Sequence, residues 1–168
     1  DDLWLPQPNL VGDHQLINAA TAITALRELR DFNIEDEHII NGITKAKWLG
    51  RLQRVYAKPI DELLPKNSEM WVDGAHNKAA TNALAEQIIK WQKIDDKPLC
   101  VISGITRGRD PKSLFAALAP YIDLLQGVNI ETEPSAARPE DVANAATELG
   151  IKSCAANSIE DALINIGE

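Results

Sequence analysis

The stretch Met70-Trp-Val-Asp-Gly-Ala-His-Asn77 decides how the sequence is organised. It begins with a short apolar run and ends with three polar side chains grouped around Gly74, and residues with helical spacing follow it. The pattern predicts a strand, a sharp turn and a helix. Ligands of open α/β sheets bind at such junctions, so Asp73, His76 and Asn77 form a candidate binding site. The alternative is a structural turn in which Asp73 or Asn77 caps the helix.

Strand and helix patterns alternate through the rest of the carboxyl-terminal part. The predicted strands are residues 51–57, 69–73, 99–103, 124–130 and 151–155, and the predicted helices are residues 77–93, 111–119, 139–149 and 158–166. This alternation indicates an α/β fold, in which a mostly parallel sheet is covered by helices on both faces. Ser158 and Asp161 have the spacing of a cap at the start of the last helix.

The patterns before residue 48 are helical. Their spacing predicts one helix from His14 to about Arg30, with Asp13 as its N-cap, and a second helix over residues 35–47. The buried stripe of the first helix is predicted to contain Leu16, Ile17, Ala20, Ile23, Leu26 and Leu29. We therefore place a domain boundary at about residue 48. Because the sequence has no initiating Met and opens with an irregular, proline-containing segment, we expect a fragment of a larger protein.

Size, composition and charge limit the classes of function. The chain has 168 residues, of which 45% are hydrophobic and 25% are charged, as in one soluble domain or one domain with an appendage. A net charge of −8 argues against a general affinity for nucleic acid or anionic membranes. No apolar run is long enough to span a bilayer. Cys100 and Cys154 each lie in an apolar, strand-like run, which is typical of buried free thiols in a reducing cytoplasm.

Two compact groups of cations contrast with this acidic composition. Residues 43–60 contain Lys45, Lys47, Arg51, Arg54 and Lys58 without an acid, and Arg107, Arg109 and Lys112 surround Asp110. Such groups suit a small polyanion better than a DNA backbone. Arg51 is a candidate phosphate ligand, and the alternative is an ordinary surface cation. Gln15 and Asn18 share one helix face, where two amides match the edge of an adenine ring; capping or surface groups are the alternative.

Four motifs occur in one order along the chain. They are His14-Gln-x-x-Asn18, Trp48-x-Gly-Arg-Leu-Gln53, Asp73-Gly-Ala-His-Asn77, and Gly104 followed by Arg109-Asp-Pro111. Together, over about residues 9–112, they resemble folylpolyglutamate synthase/dihydrofolate synthase, the folate-specific branch of the Mur ligase superfamily. The resemblance implies a Rossmann-like carboxyl-terminal domain at residues 48–168. It also implies that residues 1–47 are the helical tail of an amino-terminal ATP-binding domain.

The resemblance further implies a reaction and a set of site residues. ATP, with Mg2+, phosphorylates the carboxylate of dihydropteroate or folate and leaves as ADP, and the amine of L-glutamate attacks the acyl phosphate to form an amide and release phosphate. The implied nucleotide-binding residues are Gln15 and Asn18 for adenine, Arg51 for the phosphates and Asp73 for the ribose hydroxyls. His76 matches a residue near the glutamate and the reacting phosphate, which makes Arg51 and His76 the implied catalytic residues. Asn77 supports the turn on the substrate side, and we expect Arg107 and Arg109 to face the glutamate or a polyglutamate tail.

Parts of such an enzyme have no counterpart in this sequence. It contains no Gly-x-x-x-x-Gly-Lys-Ser/Thr loop. In the family, that loop and the Mg2+ ligands belong to the amino-terminal domain, so we expect the isolated chain to be inactive without that partner domain. The family's Gly-Ser-x-Tyr-like segment near the end is also missing. The alternatives are a free-standing α/β module that binds a nucleotide or an acidic metabolite, and another amino acid ligase of the Mur type. The sequences Gly-Arg-Leu-Gln and Asp-Gly-Ala-His-Asn favour the folate branch over another ligase of the Mur type.

Overall fold

The structure is a computed structural model that describes residues 4–167, apart from the side chain of Asp61. Residues 1–3 and 168, which the predicted domains include, lie outside the described residues. The chain forms two compact units. The first unit comprises the residues up to Val55 together with Trp71–Gly74, and the second comprises Tyr56–Met70 and the residues from Ala75 onward. The boundary at residue 48, which concerns the domains of a longer protein, stays a prediction.

The first unit begins with two helices, α1 (Asp13–Arg27) and α2 (Asp36–Lys45). The prediction that Asp13 caps α1 is wrong, because Asp13 lies inside the helix and Gly12 occupies the N-cap position with a φ of 110°. At the start of α2, Glu35 and His38 form a capping box in which His38 Nδ1 accepts the backbone N–H of Glu35 at 3.1 Å. The role of His38 in the structure is therefore helix capping.

The prediction of a buried apolar stripe on α1 is wrong for this chain. Ile17 is 69% exposed and Leu16 is 48% exposed, whereas Gln15 is the buried residue of the helix. Periodicity identifies an apolar helix face but carries no information about the element that covers it. This face of α1 is largely exposed in the described part of the chain.

Two short strands follow, β1 (Gln53–Val55) and β2 (Met70–Val72), and they pair as a two-stranded sheet. The connection between them contains a helix, α3 (Lys58–Leu63), which the sequence analysis did not predict. Pro59 lies in its first turn, where a missing N–H is tolerated. β1 is shorter than the predicted strand because Arg51 and Leu52 form a bend instead.

The second unit contains a parallel sheet of three strands in the order β3-β4-β5. Its strands are β3 (Cys100–Ser103), β4 (Leu124–Gly127) and β5 (Ser153–Ala155), and its α-helices from residue 78 onward are α4 (Lys78–Gln92), α5 (Pro111–Phe115), α6 (Pro139–Thr147) and α7 (Ile159–Gly167). In the register, Cys100 pairs with Leu124, and Leu125 pairs with Ser153. The predicted alternation is present, with shorter elements than expected. The predicted cap of the last helix is also present, since Ser158 Oγ accepts the N–H of Asp161 at 3.0 Å.

Helices cover both faces of this sheet. Val101 and Leu125 pack in a core cluster with side chains of α4, α5 and α6. Ile102, the next residue of β3, packs in a second cluster that includes Ala162 of α7. Because successive strand residues point to opposite faces, the two clusters lie on opposite sides of the sheet. The predicted α/β class is confirmed. No helix within residues 4–167 is long and apolar enough to cross a bilayer.

Gln126 is a fully buried polar residue of β4. Its Nε2 donates to the carbonyl oxygen of Ala162 at 2.7 Å, and its Oε1 accepts from Asn165 Nδ2 at 2.9 Å. A buried amide that lacks partners costs about 1–3 kcal/mol. These two bonds to α7 therefore explain how the centre of the sheet accommodates a polar side chain.

The two cysteines are free thiols. Cys100 lies on β3 and Cys154 on β5, and β4 separates the two strands. The prediction that both thiols are buried is wrong for Cys154, which is exposed, whereas Cys100 is half-buried. Burial, with a smaller contribution from the charge of Asp123, raises the pKa of the Cys100 thiol.

We expect alkylation to distinguish the two thiols. A raised pKa means less thiolate at neutral pH, and the thiolate is the reactive form. Cys154 should react with iodoacetamide faster than Cys100 at neutral pH, and the difference should narrow as the pH approaches the pKa of Cys100. Mass spectrometry of peptides from a time course measures both rates, with the urea-denatured chain as the control. Equal rates in the folded chain would contradict this expectation.

We expect Gly127→Ala to destabilise the second unit. A Cβ atom at this position would overlap the carbonyl oxygen of Pro139 in the first turn of α6, and backbone cannot rotate away. The free energy of unfolding should fall by about 3 kcal/mol, at the upper end of overpacking effects. Urea denaturation measures the change. Gly104→Ala is the matched control, because the nearest atoms there belong to the movable side chain of Ile130. An equal or larger loss for Gly104→Ala would contradict the account.

Candidate functional site

The bend that carries Arg51 is tied to the loop that follows β2, and both belong to the first unit. The backbone N–H of Leu52 donates to Asp73 Oδ2 at 2.7 Å. The backbone N–H of Gly74 donates to the carbonyl oxygen of Gly50, also at 2.7 Å. Two hydrogen bonds thus bring the second and third motifs together, and they place the backbone of Arg51 beside the Asp73 carboxylate.

Leu52 has a backbone conformation that favours glycine. Its φ is 41°, and its side chain is only 5% exposed. The left-handed region costs a residue such as leucine about 1–2 kcal/mol. Burial of the side chain and the hydrogen bond to the Asp73 carboxylate offset this cost. Strained residues that their surroundings hold in place concentrate at functional sites. Arg51, the preceding residue, is exposed, so this bend presents a permanent cation at the surface of the first unit.

Gln15 and Asn18 form a connected pair near the start of α1, also in the first unit. Asn18 Nδ2 donates to Gln15 Oε1 at 3.1 Å, and Gln15 Nε2 lies 2.8 Å from His14 Nε2. Gln15 is 8% exposed, whereas Asn18 is exposed. The shared face predicted from their spacing is therefore present. The alternative that both amides are surface groups does not hold for Gln15.

Asn77 caps α4 in the second unit. Its Oδ1 accepts the backbone N–H of Ala80 at 2.9 Å, and its own backbone is extended, as an N-cap requires. The structural alternative therefore applies to Asn77, whose side chain completes the helix start. His76, immediately before the cap, is exposed.

The loop of residues 104–110 is fastened to the segment that follows β4. The backbone N–H of Arg107 donates to the carbonyl oxygen of Ser135 at 2.6 Å, and Arg107 Nε donates to that of Ala136 at 3.0 Å. Thr106 and Ala136 also form an isolated antiparallel bridge. At the other end of the loop, Asp110 caps α5 by accepting two backbone N–H groups. The loop is therefore held at several points.

Arg109 reaches from this loop to the residue before the α4 cap. Its Nη1 donates to the carbonyl oxygen of His76, and its Nε donates to Thr106 Oγ1 at 3.3 Å. The structure thus brings together two predicted substrate-side residues, His76 and Arg109. The contact is made by the backbone of His76, and the guanidinium of Arg109 is the donor.

An ion pair lies at the start of α6. Arg138 donates two hydrogen bonds to Asp141, at 2.9 and 2.7 Å. These bonds lower the pKa of the Asp141 carboxyl, and Arg107 contributes in the same direction. Arg107, in the loop that follows β3, lies at the carboxyl-terminal edge of the parallel sheet, where ligands of such sheets bind.

The candidate residues offer cations and amides. Guanidinium groups suit phosphate or carboxylate oxygens, and an amide pair suits a base edge. Within residues 4–167, no three His, Cys, Asp or Glu side chains lie close enough to hold a metal ion. The arrangement fits the recognition of an anionic organic ligand.

Sequence reasoning missed two features of these sites. A leucine carries no signal of a positive φ, so the strained bend at Leu52 was read as the start of a strand. The segment around Ala136 carries no motif because it anchors the 104–110 loop through backbone groups, which any residue supplies.

This chain is similar to known proteins in sequence and in structure. A probable bifunctional folylpolyglutamate synthase/dihydropteroate synthase of Halobacterium salinarum is 32% identical over 109 residues, which is 65% of this chain and 12% of that protein. A dihydrofolate synthase/folylpolyglutamate synthase of Bacillus subtilis is 38% identical over 81 residues, or 46% of this chain and 17% of that protein. A crystal structure of Mycobacterium tuberculosis folylpolyglutamate synthase complexed with ADP and AMPPCP matches 99% of this chain with a TM-score of 0.75 and 25% identity. The chain is similar to the folylpolyglutamate/dihydrofolate synthases in sequence and in fold.

This similarity confirms the resemblance drawn from the four motifs. The chain spans 35% of the Mycobacterium tuberculosis folylpolyglutamate synthase chain and smaller shares of the two sequence relatives. No protein-family model matches it. The synthase fold is therefore shared over nearly the whole of this chain, and the roles of individual residues stay predictions.

We expect Asp73→Ala to loosen the bend that carries Arg51. The substitution removes the carboxylate acceptor of the Leu52 N–H, so the cost of the left-handed conformation is no longer offset and the free energy of unfolding should fall by about 1.5–3 kcal/mol. Urea denaturation measures the change. Asp36→Ala is the control in the same unit, because Asp36 is an exposed partner of Arg27 and such pairs contribute about 0.2–1 kcal/mol. Equally small losses for the two variants would contradict the role assigned to Asp73.

Proposed function

We propose that this chain is the carboxyl-terminal part of an ATP-dependent folate–glutamate ligase. The ligase joins L-glutamate to an activated carboxylate of dihydropteroate or folate. The similarity to folylpolyglutamate/dihydrofolate synthases supports the reaction class. The observation that carries the site assignment is the hydrogen bond from Leu52 to Asp73, because it joins two motifs that are 21 residues apart in sequence.

The proposed nucleotide contacts lie in the first unit. Arg51 binds phosphate oxygens, because its guanidinium is always charged and presents several N–H donors. Asp73 binds the ribose hydroxyls; a carboxylate accepts several hydrogen bonds, so the bond to Leu52 is compatible with that role. Gln15 and Asn18 bind the edge of the adenine ring. Asp73 is a poor general base in this scheme, because a sugar contact keeps it ionised and engaged.

The proposed contacts to the second substrate lie in the second unit. In this proposal the side chain of His76 contacts the incoming glutamate and the reacting phosphate, and the cap formed by Asn77 fixes the backbone after it. The guanidinium of Arg107, at the carboxyl-terminal edge of the parallel sheet, binds a carboxylate of glutamate. A local basic site within an acidic chain of net charge −8 favours a small anion over a polyanionic surface.

The remaining parts of the ligase are assigned to an amino-terminal domain. ATP supplies the phosphoryl group that activates the carboxylate, and the phosphate loop and the Mg2+ ligands are placed in that domain because the sequence of this chain has no phosphate loop. The isolated chain is therefore proposed to be inactive, since positioning across a cleft needs both walls. The whole enzyme is proposed to act in the cytoplasm.

The test is turnover by the complete ligase with Arg51→Ala and, separately, His76→Ala. We expect each variant to lose about a hundredfold in kcat/KM for ATP- and glutamate-dependent extension of folate, the size typical of a lost transition-state contact. Extension is measured by chromatography of the products. Lys45→Ala is the matched control, because it removes a cation from the same basic stretch without touching the bend.

Wild-type activity in both variants would contradict the site assignment. Glutamate addition by this chain alone would contradict the proposed need for the amino-terminal domain. Addition of an amino acid to an acceptor other than a folate or pteroate, with no addition to either of these, would contradict the proposed substrate.

A further inference from the structure

The arginines of the 104–110 loop differ in what they contact. Arg107 Nε donates to the carbonyl oxygen of Ala136, which lies in the segment that follows β4. Arg109 donates to His76, 33 residues earlier in the sequence, and thereby links the loop after β3 to the start of α4. The two side chains are therefore not equivalent, although both were predicted to bind substrate.

The backbone that carries the Arg109 side chain is held in place by hydrogen bonds. Its backbone N–H donates to the carbonyl oxygen of Thr106 at 3.3 Å, and Asp110, the next residue, caps α5 through the N–H groups of Lys112 and Ser113. Ile105, in the same loop, is 5% exposed. A side chain on so constrained a backbone directs its guanidinium to one place with little loss of entropy.

The guanidinium itself is held in one orientation. Nε donates to Thr106 Oγ1, and Nη1 donates to the carbonyl oxygen of His76. A guanidinium is planar, so two bonds from different nitrogens set both its position and its plane. Hydrogen bonds from a charged donor are about twice as strong as neutral ones. Arg109 is thus suited to holding a backbone group in place.

The peptide unit between His76 and Asn77 is fixed from both sides. Its carbonyl group accepts from Arg109, and the residue that follows is the N-cap whose Oδ1 binds the N–H of Ala80. The directions of the side chains follow from the backbone that carries them. Fixing this peptide therefore fixes the direction of the Cα–Cβ bond of His76 and limits the rotamers that its imidazole can adopt.

We propose that Arg109 is a positioning residue that orients His76, and that Arg107 is the arginine of this loop that binds the anionic substrate. The expected effect of Arg109 on catalysis rests on the ligase function proposed above. The hydrogen bond between Arg109 and His76 is independent of that function. Arg109 then acts through His76, so its loss lowers kcat while binding of glutamate changes little. The loss of Arg107 raises the KM for glutamate instead.

The first test reads the bond directly in this chain by NMR. A carbonyl carbon that accepts a charged hydrogen bond has a distinct chemical shift, so Arg109→Met should move the carbonyl 13C resonance of His76. Arg107→Met, the matched control in the same loop, should leave that resonance in place. An unchanged His76 carbonyl shift in Arg109→Met, or an equal change in both variants, would overturn the proposal.

The second test separates positioning from substrate binding in the complete ligase. We expect Arg109→Met to lower kcat about tenfold or more with the KM for glutamate within about twofold, and Arg109→Lys, which keeps a cationic donor, to recover part of kcat. Arg107→Met should raise the KM for glutamate about tenfold. A raised KM with unchanged kcat in Arg109→Met, or no recovery by Arg109→Lys, would overturn the proposal.

A further variant keeps the proposal testable if Arg109→Met does not fold. Thr106→Val removes the acceptor of Arg109 Nε with almost no change in volume, and it leaves the backbone bridge to Ala136 intact. It should shift the His76 carbonyl resonance and lower kcat in the same direction, by less than Arg109→Met. A wild-type His76 carbonyl resonance together with a wild-type kcat in the Thr106→Val variant would overturn the proposal. A wild-type ligase that adds no glutamate would refute the proposed function, and the carbonyl test would still decide the role of Arg109.

Discussion

The hydrogen bond from the Leu52 N–H to the Asp73 carboxylate is the constraint on which the nucleotide side of the candidate site depends. It spans 21 residues of sequence and holds a buried leucine at a φ of 41°. Without an acceptor for that N–H, the left-handed conformation would be unfavourable, and the chain around Arg51 would relax toward the extended strand that its sequence suggests. The carboxylate therefore shapes the bend, and the bend determines where the cation lies.

A similar arrangement occurs in the second unit with the roles reversed. There a cation, Arg109, holds a backbone carbonyl group, that of His76, next to a helix cap. In both units, a charged side chain from one motif fixes the backbone of another motif. Backbone fixed in this way positions the neighbouring side chain, Arg51 in one case and His76 in the other.

The sequence indicated much of the fold, because period-2 and helical patterns depend on local chemistry. The alternation after residue 69, the cap at Asn77 and the cap at Ser158 follow from side-chain types alone. The errors arose where the structure depends on distant groups. The apolar face of α1 was predicted to be buried, but periodicity does not specify a covering element. The bend at Leu52 depends on a carboxylate that is close only after folding. The sequence motifs identified the candidate residues, whereas the different contacts of Arg107 and Arg109 are visible only in the three-dimensional structure.

The central claim is that Asp73 and Arg51 act as one unit, because the carboxylate of the first shapes the bend that carries the second. A double-mutant cycle on ATP binding by the complete ligase, with Arg51→Ala, Asp73→Ala and the double variant, measures their coupling most directly. The account predicts a coupling free energy of about 1–3 kcal/mol, since removing Arg51 should matter little once the bend is lost. Additive effects, with a coupling near zero, would contradict it.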